Sequence, residues 1–440
     1  MLEHASNFNE WSFVVKRRLR KILPTAFLNL YFSSYPFIGN LFFGQPSRKI
    51  KLIAITGTDG KSSSVIFTAR ILKEAGYKVG FFSSISYSDG NQEHPNNFKM
   101  TMPGRLFLQK FLKRLVDNKC DFGVIEVTSE GIKQRRHLFI DFDIALITNI
   151  KPEHIESHGN FENYKQAKST IFRNLAKSYR KNIPKTIIVN NDDSEAKTFL
   201  SFDAEQKVAF GIQEKADIQG QIINTDLFQN TFRVEMGGQS ATFEMMAGGP
   251  FITENALAAI AVAKVLKITL VTCLTALKKI TNPPGRFEIV SKKPIIIVDY
   301  AHTIVAVEKI LLFVRKNWHG KIVHVFGAAG GGRDKWKRPR LGELSEQYTD
   351  FSILAEENSF DEPTANVLND IYGGFKNKDR VAIVTDRKEA DQKAVEMQMD
   401  SNDTLLLLTG KGCETVIVGP LSRKTPYNEK QTILCLLSNY

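Results

Sequence analysis

The amino-acid sequence predicts an α/β protein with a parallel-sheet domain, a smaller second α/β domain and a short helical N-terminal segment. Two observations predict this fold. Short apolar runs alternate with helical patterns, which is typical of parallel strands joined by crossover helices. Asn282-Pro-Pro-Gly285 interrupts the alternation, since proline and glycine end regular elements. We therefore expect three segments: residues 1–47, 48–282 and 283–440.

Length and composition indicate a multidomain globular protein. The chain has 440 residues, 42% hydrophobic and 24% charged, which is more than one ordinary core accommodates. A net charge of +12 suits phosphate-bearing small molecules, an anionic membrane surface or nucleic acid. Nucleic-acid-binding motifs are not visible, so nucleic acid is ranked last. The four cysteines are scattered without a Cys-x-x-Cys pair, which favours a reducing cytosol and argues against disulfides or structural zinc.

The first 47 residues combine a basic run, Lys16–Lys21, with an apolar stretch over residues 22–43. A signal peptide is disfavoured because Pro24 interrupts the apolar stretch and no small-x-small cleavage site follows. Pro36 likewise makes a membrane-spanning helix unlikely. Two alternatives remain open. Residues 1–45 form a helical cover on the next domain, or they contact the inner membrane leaflet peripherally, with Lys and Arg on lipid phosphates.

A glycine-rich turn follows the first apolar strand pattern, and the sequence there reads Thr56-Gly-Thr-Asp-Gly-Lys-Ser-Ser63. Such a turn allows backbone N–H groups and a helix N-terminus to face one anion. Lys61 would add a charge for terminal phosphates, and Ser62 a hydroxyl for Mg²⁺. The alternative is an ordinary strand–turn–helix with a surface lysine. The pattern favours a phosphate-loop ATPase-type sheet, and the second domain is expected to be Rossmann-like.

Other polar residues follow later strands or interrupt them. Glu126 stands inside an apolar run, where a carboxylate is costly unless it is paired or metal-bound. His154 and His158 follow another strand, and a carboxylate with an imidazole could hold Mg²⁺, although histidine is an unusual ligand for that cation. Taken singly, each residue is more often structural. The charge periodicity of residues 161–172 predicts an amphipathic helix with Lys165 and Lys168 in solvent.

Over residues 48–440 these features resemble the ATP-dependent Mur ligase family, and within it the UDP-N-acetylmuramoyl-tripeptide synthetases, which add the third residue. Several independent motifs occur in the family's order. They are Thr56–Ser62, Thr101-Met-Pro103, Glu126-Val-Thr-Ser129, Thr148-Asn149, Glu153-His154, His158, Tyr164–Lys168, Asn255, Gly285–Glu288, Asp299–His302, Arg333-Asp334, Lys337-Arg-Pro339 and Gly410–Thr415.

The resemblance implies that ATP activates a carboxylate as an acyl phosphate, which the amine of an amino acid then attacks. It implies ATP and Mg²⁺ as cofactors, with two metal sites. Lys61, Lys168, His154 and Arg286 match catalytic positions, and Lys168 matches a lysine that becomes carbamylated and supports the second Mg²⁺. The implied metal ligands are Ser62, Glu126, His154 and Lys168. The implied nucleotide contacts are Gly57, Thr58, Asp59, Gly60, Lys61, Ser62, Ser63, Asn255, Arg286, Asp299 and His302.

The positions matching the muropeptide and amino-acid substrates are Thr101, Met102, Thr128, Ser129, Arg136, His158, Arg333, Glu357, Asn358, Gly410 and Glu414. Three departures from the family qualify this match. Forty-seven residues leave no room for the usual N-terminal UDP-binding domain. The specificity motif Asp-Asn-Pro-Arg reads Glu357-Asn-Ser-Phe360, which disfavours diaminopimelate and leaves lysine or another amino acid open. Cys413 replaces a histidine, and Asp59 stands where the family usually has asparagine.

The resemblance thus predicts an ATP-dependent ligase that adds an amino acid to a UDP-N-acetylmuramoyl-dipeptide-like cell-wall precursor. Small-molecule substrates are the expected partners, and the expected location is the cytoplasm, with the inner membrane face left open. Two alternatives also remain open. One is a ligase for a lipid-linked muropeptide or another γ-glutamyl acceptor, and the other is a nucleotide-binding scaffold without catalysis.

Overall fold

The structure is a computed structural model that describes residues 25–98, 101–104, 106–153, 155–399 and 403–440. His154, predicted as a metal ligand, and the basic run Lys16–Lys21 lie outside the described residues. Residues 32–283 form one compact unit, and residues 284–440 belong to a second.

The first unit contains eleven strands among its described residues. Its elements in chain order are α1 (Thr25–Phe42, which begins before the unit), β1 (Lys51–Thr56), α2 (Lys61–Glu74), β2 (Val79–Phe82), β3 (Ser86–Ser88), β4 (Glu93–Pro95), α3 (Phe107–Asp117), β5 (Phe122–Glu126), α4 (Ser129–Lys133), β6 (Ile144–Ile147), α5 (Ile155–His158), α6 (Phe161–Leu175), β7 (Thr186–Asn190), α7 (Ala196–Leu200), β8 (Gln206–Gly211), β9 (Ile218–Thr225), β10 (Asn230–Met236), β11 (Gln239–Met245), α8 (Ile252–Val265) and α9 (Leu270–Lys278).

These strands form one sheet in the order β11-β10-β9-β8-β7-β6-β1-β5-β2-β3-β4. Pairing is parallel from β9 to β2 and antiparallel in the β9–β10–β11 and β2–β3–β4 extensions. Strands β1, β5, β6 and β7 are buried almost throughout, because helices cover both faces of a parallel sheet. The prediction of a parallel α/β sheet is confirmed.

The second unit has the elements β12 (Glu288–Lys292), β13 (Ile295–Val298), α10 (Ile304–Asn317), β14 (Lys321–Phe326), α11 (Lys337–Tyr348), β15 (Phe351–Leu354), α12 (Thr364–Tyr372), β16 (Val381–Ile383), α13 (Arg387–Met399), β17 (Thr404–Leu408), β18 (Val416–Val418), β19 (Lys424–Pro426) and α14 (Glu429–Leu437). Six strands form a sheet in the order β12-β13-β17-β14-β15-β16, parallel except for β12. The predicted second, smaller α/β sheet is confirmed.

Helix α1 runs through Pro36 and packs one face on the first unit. Pro36, Gly39 and Asn40 are buried, and Gly39 approaches Leu106 and Gln109 so closely that a Cβ atom would lie 3.0 and 3.2 Å from them. This face corresponds to the predicted helical cover. None of the helices in the described part of the chain is long and apolar enough to cross a membrane.

Candidate active site

The glycine turn between β1 and α2 is shaped by two glycines that leave no room for side chains. A Cβ atom on Gly57 would lie 1.9 Å from Thr148 Oγ1, and one on Gly60 would lie 2.4 Å from Asn255 Oδ1. Gly60 also caps α2 in a left-handed conformation with φ 80°, which favours glycine. The turn therefore brings backbone close to the start of a fourteen-residue helix, as an anion site requires.

Thr148 and Asn149, which follow β6, hold this turn from outside. The Thr58 N–H donates to Asn149 O at 3.0 Å, and the Asp59 N–H donates to Asn149 Oδ1 at 2.9 Å. Thr148 Oγ1 in turn donates to Asp59 O at 2.6 Å. Both residues belong to the sequence motifs, but neither was among the predicted site residues. The parallel pairing of β1 with β6 places them beside the turn.

Lys61, Ser62 and Glu126 lie together at the carboxyl edge of the sheet. Ser62 Oγ donates to Glu126 Oε2 at 2.8 Å, and the Ser84 N–H donates to the same carboxylate oxygen at 2.8 Å. Lys61 Nζ donates to Thr58 O at 2.6 Å. A serine hydroxyl beside a buried carboxylate is an oxygen pair that suits Mg²⁺. Among the described residues, no group of three or more His, Cys, Asp and Glu side chains could hold a metal.

Lys168 contradicts the prediction, made from charge periodicity, that it lies in solvent. It is only 1% exposed, because α6 turns this side of the helix beneath the glycine turn. Its Nζ donates to Gly57 O at 2.6 Å and lies 3.5 Å from Thr56 Oγ1 and 4.8 Å from the Tyr164 ring centroid. Burial lowers the pKa of Lys168 well below its ordinary value, and the nearby charge of Lys61 adds to that shift. The neutral amine is thereby favoured.

The remaining predicted nucleotide positions of this unit also adjoin the turn. Ser63 is buried in the first turn of α2, and Asn255, near the start of α8, accepts a hydrogen bond from Ser64 Oγ at 3.3 Å. Thr58 Oγ1 lies 3.1 Å from the Tyr164 hydroxyl, which links α6 to the turn. Tyr164 was not among the predicted site residues.

Positions matched to the muropeptide gather near the ends of β5 and α5. Met102 is buried, and its Sδ accepts from the Thr128 N–H at 3.3 Å, while Arg136 donates to Met102 O. Thr128 caps the short helix α4, whose first residue, Ser129, is buried. Burial also lowers the pKa of His158, whose Nε2 lies 3.9 Å from Glu130 Oε1. Thr101 is half-buried beside Met102.

In the second unit, Asp299 positions the Arg286–Phe287 turn. Its two carboxylate oxygens accept from the Phe287 N–H and the Ala301 N–H, both at 2.5 Å. The Arg286 guanidinium then lies 4.4 Å from the ring centroid of Tyr300, and His302 Nδ1 lies 2.9 Å from Tyr300 O. These two hydrogen bonds between Asp299 and the backbone hold the turn that carries Arg286.

Glu357, Asn358, Gly410 and Glu414 lie together around Lys411. The Lys411 Nζ is buried and donates to Glu414 Oε2 at 2.6 Å and to Asn358 Oδ1 at 3.3 Å. Glu357 Oε2 is buried and has no hydrogen-bond partner in the described part of the chain; it lies 2.6 Å from where a Cβ of Gly410 would be. Burial raises the pKa of Glu357 to about 6, with Lys411 opposing the shift. Lys411 was not predicted as a site residue, although it lies in a Gly-Lys-Gly turn after an apolar strand.

Arg333 stacks on the residue that departs from the family motif. Its guanidinium lies 4.3 Å from the ring centroid of Phe360. The glycine loop before Arg333 makes this contact possible, since the Gly330 N–H donates to Asn358 O at 2.8 Å. Cys413 is half-buried, and its backbone nitrogen lies against Gly285, where a Cβ would be only 2.1 Å away.

Comparisons with known proteins match two parts of this chain to one family. Residues 55–263 match the Mur ligase middle domain, and residues 285–412 match the Mur ligase glutamate ligase domain. A Bacillus cereus UDP-N-acetylmuramoyl-L-alanyl-D-glutamate–2,6-diaminopimelate ligase is 31% identical, over 91% of this chain and 81% of the relative. The Aquifex aeolicus protein of the same name is 32% identical, over 94% of this chain and 83% of the relative.

Solved structures share the fold. A structure of a diaminopimelate ligase of that name has a TM-score of 0.60 at 23% identity and covers 89% of this chain and 78% of its own. The folylpolyglutamate synthase of Mycobacterium tuberculosis, solved with ADP and AMPPCP, has a TM-score of 0.71 at 16% identity and covers 86% and 92%. At these identities the structural likeness establishes the fold alone.

The chain belongs to the Mur ligase family of ATP-dependent acid–amino-acid ligases, which use ATP and Mg²⁺. The prediction of an ATP-dependent ligase is therefore confirmed. The roles of individual residues stay predictions, with the positions described above.

Proposed function

We propose that this ligase joins an amino acid to the free carboxylate of a UDP-N-acetylmuramoyl-dipeptide during peptidoglycan synthesis. The observation that carries the proposal is the grouping of Lys61, Ser62, Glu126 and Lys168 around the turn Gly57–Gly60. The names of the Bacillus cereus and Aquifex aeolicus relatives support the acceptor, since each contains UDP-N-acetylmuramoyl-L-alanyl-D-glutamate.

The first chemical step is transfer of the γ-phosphoryl group of ATP to the acceptor carboxylate. This step forms an acyl phosphate and releases ADP. The N–H groups of the turn and the Lys61 ammonium would bind the phosphate oxygens and offset the charge that develops during transfer. Asn255 would orient the nucleotide from α8, beside the same turn.

The donor set at Ser62 and Glu126 fits Mg²⁺, and His154 is proposed as a further ligand of the same ion. Phosphate oxygens and water would complete the coordination, which is usual for Mg²⁺ at nucleotide sites. Bound there, Mg²⁺ would neutralise phosphate charge and orient the transferred group.

Lys168 is proposed to become a carbamate. Its neutral amine would attack CO₂ through nitrogen and release one proton, leaving a carboxylate on the side chain. The lowered pKa favours the neutral amine that this reaction needs, and the short contact to Gly57 O places the product against the glycine turn. The resulting carboxylate would supply an oxygen ligand to a second Mg²⁺.

The second step is attack of the amine of the incoming amino acid on the acyl carbon. The amide bond forms, phosphate leaves, and the nitrogen loses a proton. Arg286, held by Asp299 and Tyr300, is proposed to contact the phosphates during these steps. Exclusion of water would protect the acyl phosphate from hydrolysis.

We propose that the incoming amino acid is a diamino acid, and that lysine is the first candidate. The open oxygen of Glu357 and the nearby Glu414 carboxylate suit an ammonium group. Arg333 supplies the cation for a carboxylate. Phe360 stands where the family motif has a second arginine, so recognition of the extra carboxylate of diaminopimelate lacks one of its cations.

The direct test measures ADP and phosphate release in the presence of UDP-N-acetylmuramoyl-dipeptide with lysine, diaminopimelate or other amino acids. Release should require both substrates, and mass spectrometry should show one added residue. The Lys61→Ala variant should lose turnover, whereas Lys264→Ala, at a surface ion pair with Asp217, should keep it. ADP release that ignores both substrates would overturn the proposal.

We place the reaction in the cytoplasm, with peripheral contact between residues 1–45 and the inner membrane face. The cytoplasmic location is supported by the four free cysteines and by the need for ATP. The membrane contact is supported by the five basic residues of Lys16–Lys21.

A further inference from the structure

A buried polar network in the second unit contacts the turn Thr409–Thr415. Its members are each at most 4% exposed, and they are Arg387 at the start of α13, Asp391 one turn later, Tyr427, and Glu429 at the start of α14. Arg387 Nε donates to Glu429 Oε1 at 2.9 Å. The Tyr427 hydroxyl donates to Asp391 Oδ2 at 2.5 Å and to Glu429 Oε1 at 3.3 Å. The four side chains are therefore connected, and the reaction steps proposed above use none of them.

The network holds both ends of this turn. Arg387 Nη2 donates to Thr409 O at 3.1 Å, and the Tyr427 N–H donates to Thr415 O at 3.0 Å. Because Arg387 and Tyr427 both donate to Glu429 Oε1, the two ends of the turn are tied to one carboxylate oxygen. Side chains outside the turn thus fix the distance between its ends.

The turn carries residues of the proposed amino-acid site. Gly410 approaches Glu357 so closely that a Cβ atom would lie 2.6 Å from Glu357 Oε2. Farther along the turn, Glu414 Oε2 accepts from Asn358 Nδ2 at 2.9 Å. Binding groups must be held to within about 0.5 Å of their productive geometry. A displaced turn would therefore change the site that we propose for the substrate ammonium.

Stability alone does not account for such a network. It buries one guanidinium and two carboxylates, and withdrawing charges from water often costs more free energy than their attraction returns. Burial raises the pKa of Asp391 well above its ordinary value, which reflects this cost. Apolar side chains of similar volume often stabilise a fold equally well. Hydrogen-bonded ions differ from them in fixing the geometry of their partners.

We infer that Arg387, Tyr427 and Glu429 are positioning residues that set the affinity of the ligase for its incoming amino acid. They act through the turn Thr409–Thr415, which they hold against Glu357, and they do not touch the substrate themselves. The inference rests on the amino-acid site proposed above. It adds three residues to that site that the sequence motifs did not single out.

The test is steady-state kinetics of Arg387→Lys with ATP, UDP-N-acetylmuramoyl-dipeptide and either lysine or diaminopimelate. Lysine keeps the charge but lacks the planar fork that reaches both Glu429 and Thr409 O. The KM for the amino acid should rise about tenfold, while kcat and the KM for ATP change less than about twofold. A purely structural loss would lower the concentration of active enzyme, and hence kcat, without changing KM. Amide hydrogen exchange of residues 410–414 should also become faster.

Tyr427→Phe is the milder second variant, since it removes one hydroxyl and keeps the ring. It should raise the KM for the amino acid about threefold, and it decides the question if Arg387→Lys does not fold. Arg315→Lys is the matched control in the same unit. Arg315 also joins a carboxylate, that of Asp350, to a backbone carbonyl, that of Gly320 at 3.1 Å, but at the other edge of the sheet. It should lower the melting temperature and leave KM unchanged.

The possible failures can be told apart. An unchanged KM for the amino acid in folded, active Arg387→Lys or Tyr427→Phe would overturn the inference and leave the ligase chemistry intact. An equal rise in KM for Arg315→Lys would overturn it as well, because loosening anywhere in the second unit would then weaken binding. ADP release by the parent chain that depends on neither amino acid would overturn the proposed function, and this inference with it.

Discussion

The two edges of the large sheet treat a buried lysine in opposite ways. At the amino edge, Lys185 is 1% exposed, and its Nζ donates to Asp143 Oδ1 at 2.9 Å and to the carbonyls of Phe142 and Tyr179, each at 2.8 Å. These three acceptors satisfy all three ammonium protons. Lys181 reinforces the same carboxylate, 2.7 Å from Asp143 Oδ2.

At the carboxyl edge, Lys168 is equally buried but has no carboxylate partner within ion-pair distance in the described part of the chain. Among the described residues, its shortest contact is the backbone carbonyl of Gly57, at 2.6 Å. Burial of a lysine without a counter-charge is costly, and the cost is relieved when the amine is neutral. At the amino edge, the ion pair between Lys185 and Asp143 stabilises the fold. At the carboxyl edge, Lys168 has no such ion pair among the described residues, so its amine is available to react.

The largest expected effect comes from removing Lys168. Lys168→Ala should lower turnover by about a thousandfold, because the site loses the carboxylate that is proposed to hold the second Mg²⁺. Acetate or propionate should restore part of the activity by supplying a carboxylate. Solution NMR of the parent chain with ¹³C-bicarbonate should show a carbamate signal that the variant lacks.

Lys165→Ala is the matched control, on the same helix but at its surface. Lys165 is paired with Glu162 at 2.9 Å and Glu195 at 3.2 Å, so its loss should change turnover by no more than about twofold. Full activity of Lys168→Ala, or lost activity with neither rescue nor a carbamate signal, would refute the contrast between the two edges.

The second-largest expected effect concerns Gly60 and Gly76, which lie at opposite ends of α2. This helix runs from one edge of the sheet to the other. Gly60 has φ 80° and a Cβ position 2.4 Å from Asn255 Oδ1, while Gly76 has φ 88° and nothing within 4 Å of its Cβ position. Gly60→Ala should weaken ATP binding by about a hundredfold, because the turn must shift. Gly76→Ala should cost about 1 kcal/mol of unfolding free energy and leave ATP affinity unchanged.

Isothermal titration calorimetry with ATP and Mg²⁺, together with urea unfolding, would measure both quantities. The backbone strain of the two substitutions is similar, so a difference in affinity reports the contact with Asn255. Equal ATP affinities for the two variants would show that the turn tolerates a side chain and does not define the nucleotide site.

Much of the carboxyl edge of the large sheet could be predicted from the sequence, because the glycine turn and its flanking strand and helix are formed by residues close together in the chain. The strand Val79–Phe82 and the helix that begins at Lys61 follow directly from apolar patterning. The burial of Lys168 could not be predicted that way, since it depends on how α6 packs beneath a turn more than a hundred residues earlier. The Thr148–Asn149 contacts depend likewise on the pairing of β6 with β1.

Short strands were missed for another reason. Ser86–Ser88 and Glu93–Pro95 have three residues each and no apolar alternation, so only their pairing beside β2 identifies them. In the second unit, the resemblance to the family motifs predicted that Glu357, Asn358 and Glu414 belong to one substrate site. The buried Lys411 that joins them became evident only from its contacts.

The two edges of the second sheet can be compared in the same way, with a carboxylate at each edge in place of a lysine. At its amino edge, Asp350 is paired with Arg315 and accepts from the Ile322 N–H at 2.8 Å. At its carboxyl edge, Glu357 Oε2 is buried without a hydrogen-bond partner among the described residues, and burial raises the pKa of Glu357 to about 6. A raised carboxyl pKa means that the folded chain holds a proton that the unfolded chain has lost, so this group destabilises the fold as pH rises from 4.5 through 6.

Binding of a substrate ammonium needs the ionised form of Glu357. The KM for the amino acid should therefore rise about tenfold for each pH unit below 6 and level off above it. Glu357→Gln should raise KM and remove the inflection, while Glu343→Gln, at an exposed ion pair with Arg340, should keep it. An unchanged pH profile in Glu357→Gln would show that this carboxylate does not bind the amino acid.

The smallest effect concerns specificity at Phe360. Phe360→Arg would add a second cation beside Arg333, as the family motif has, and should raise kcat/KM for diaminopimelate relative to lysine by about tenfold, or about 1.4 kcal/mol. Loss of the stacking contact with Arg333, at 4.3 Å, should cost only about 0.5–1 kcal/mol of stability. Phe360→Leu is the control, because it removes the stacking without adding charge. Competition between the two amino acids, followed by mass spectrometry, would measure the ratio; the same ratio for both variants would mean that charge at this position does not select the substrate.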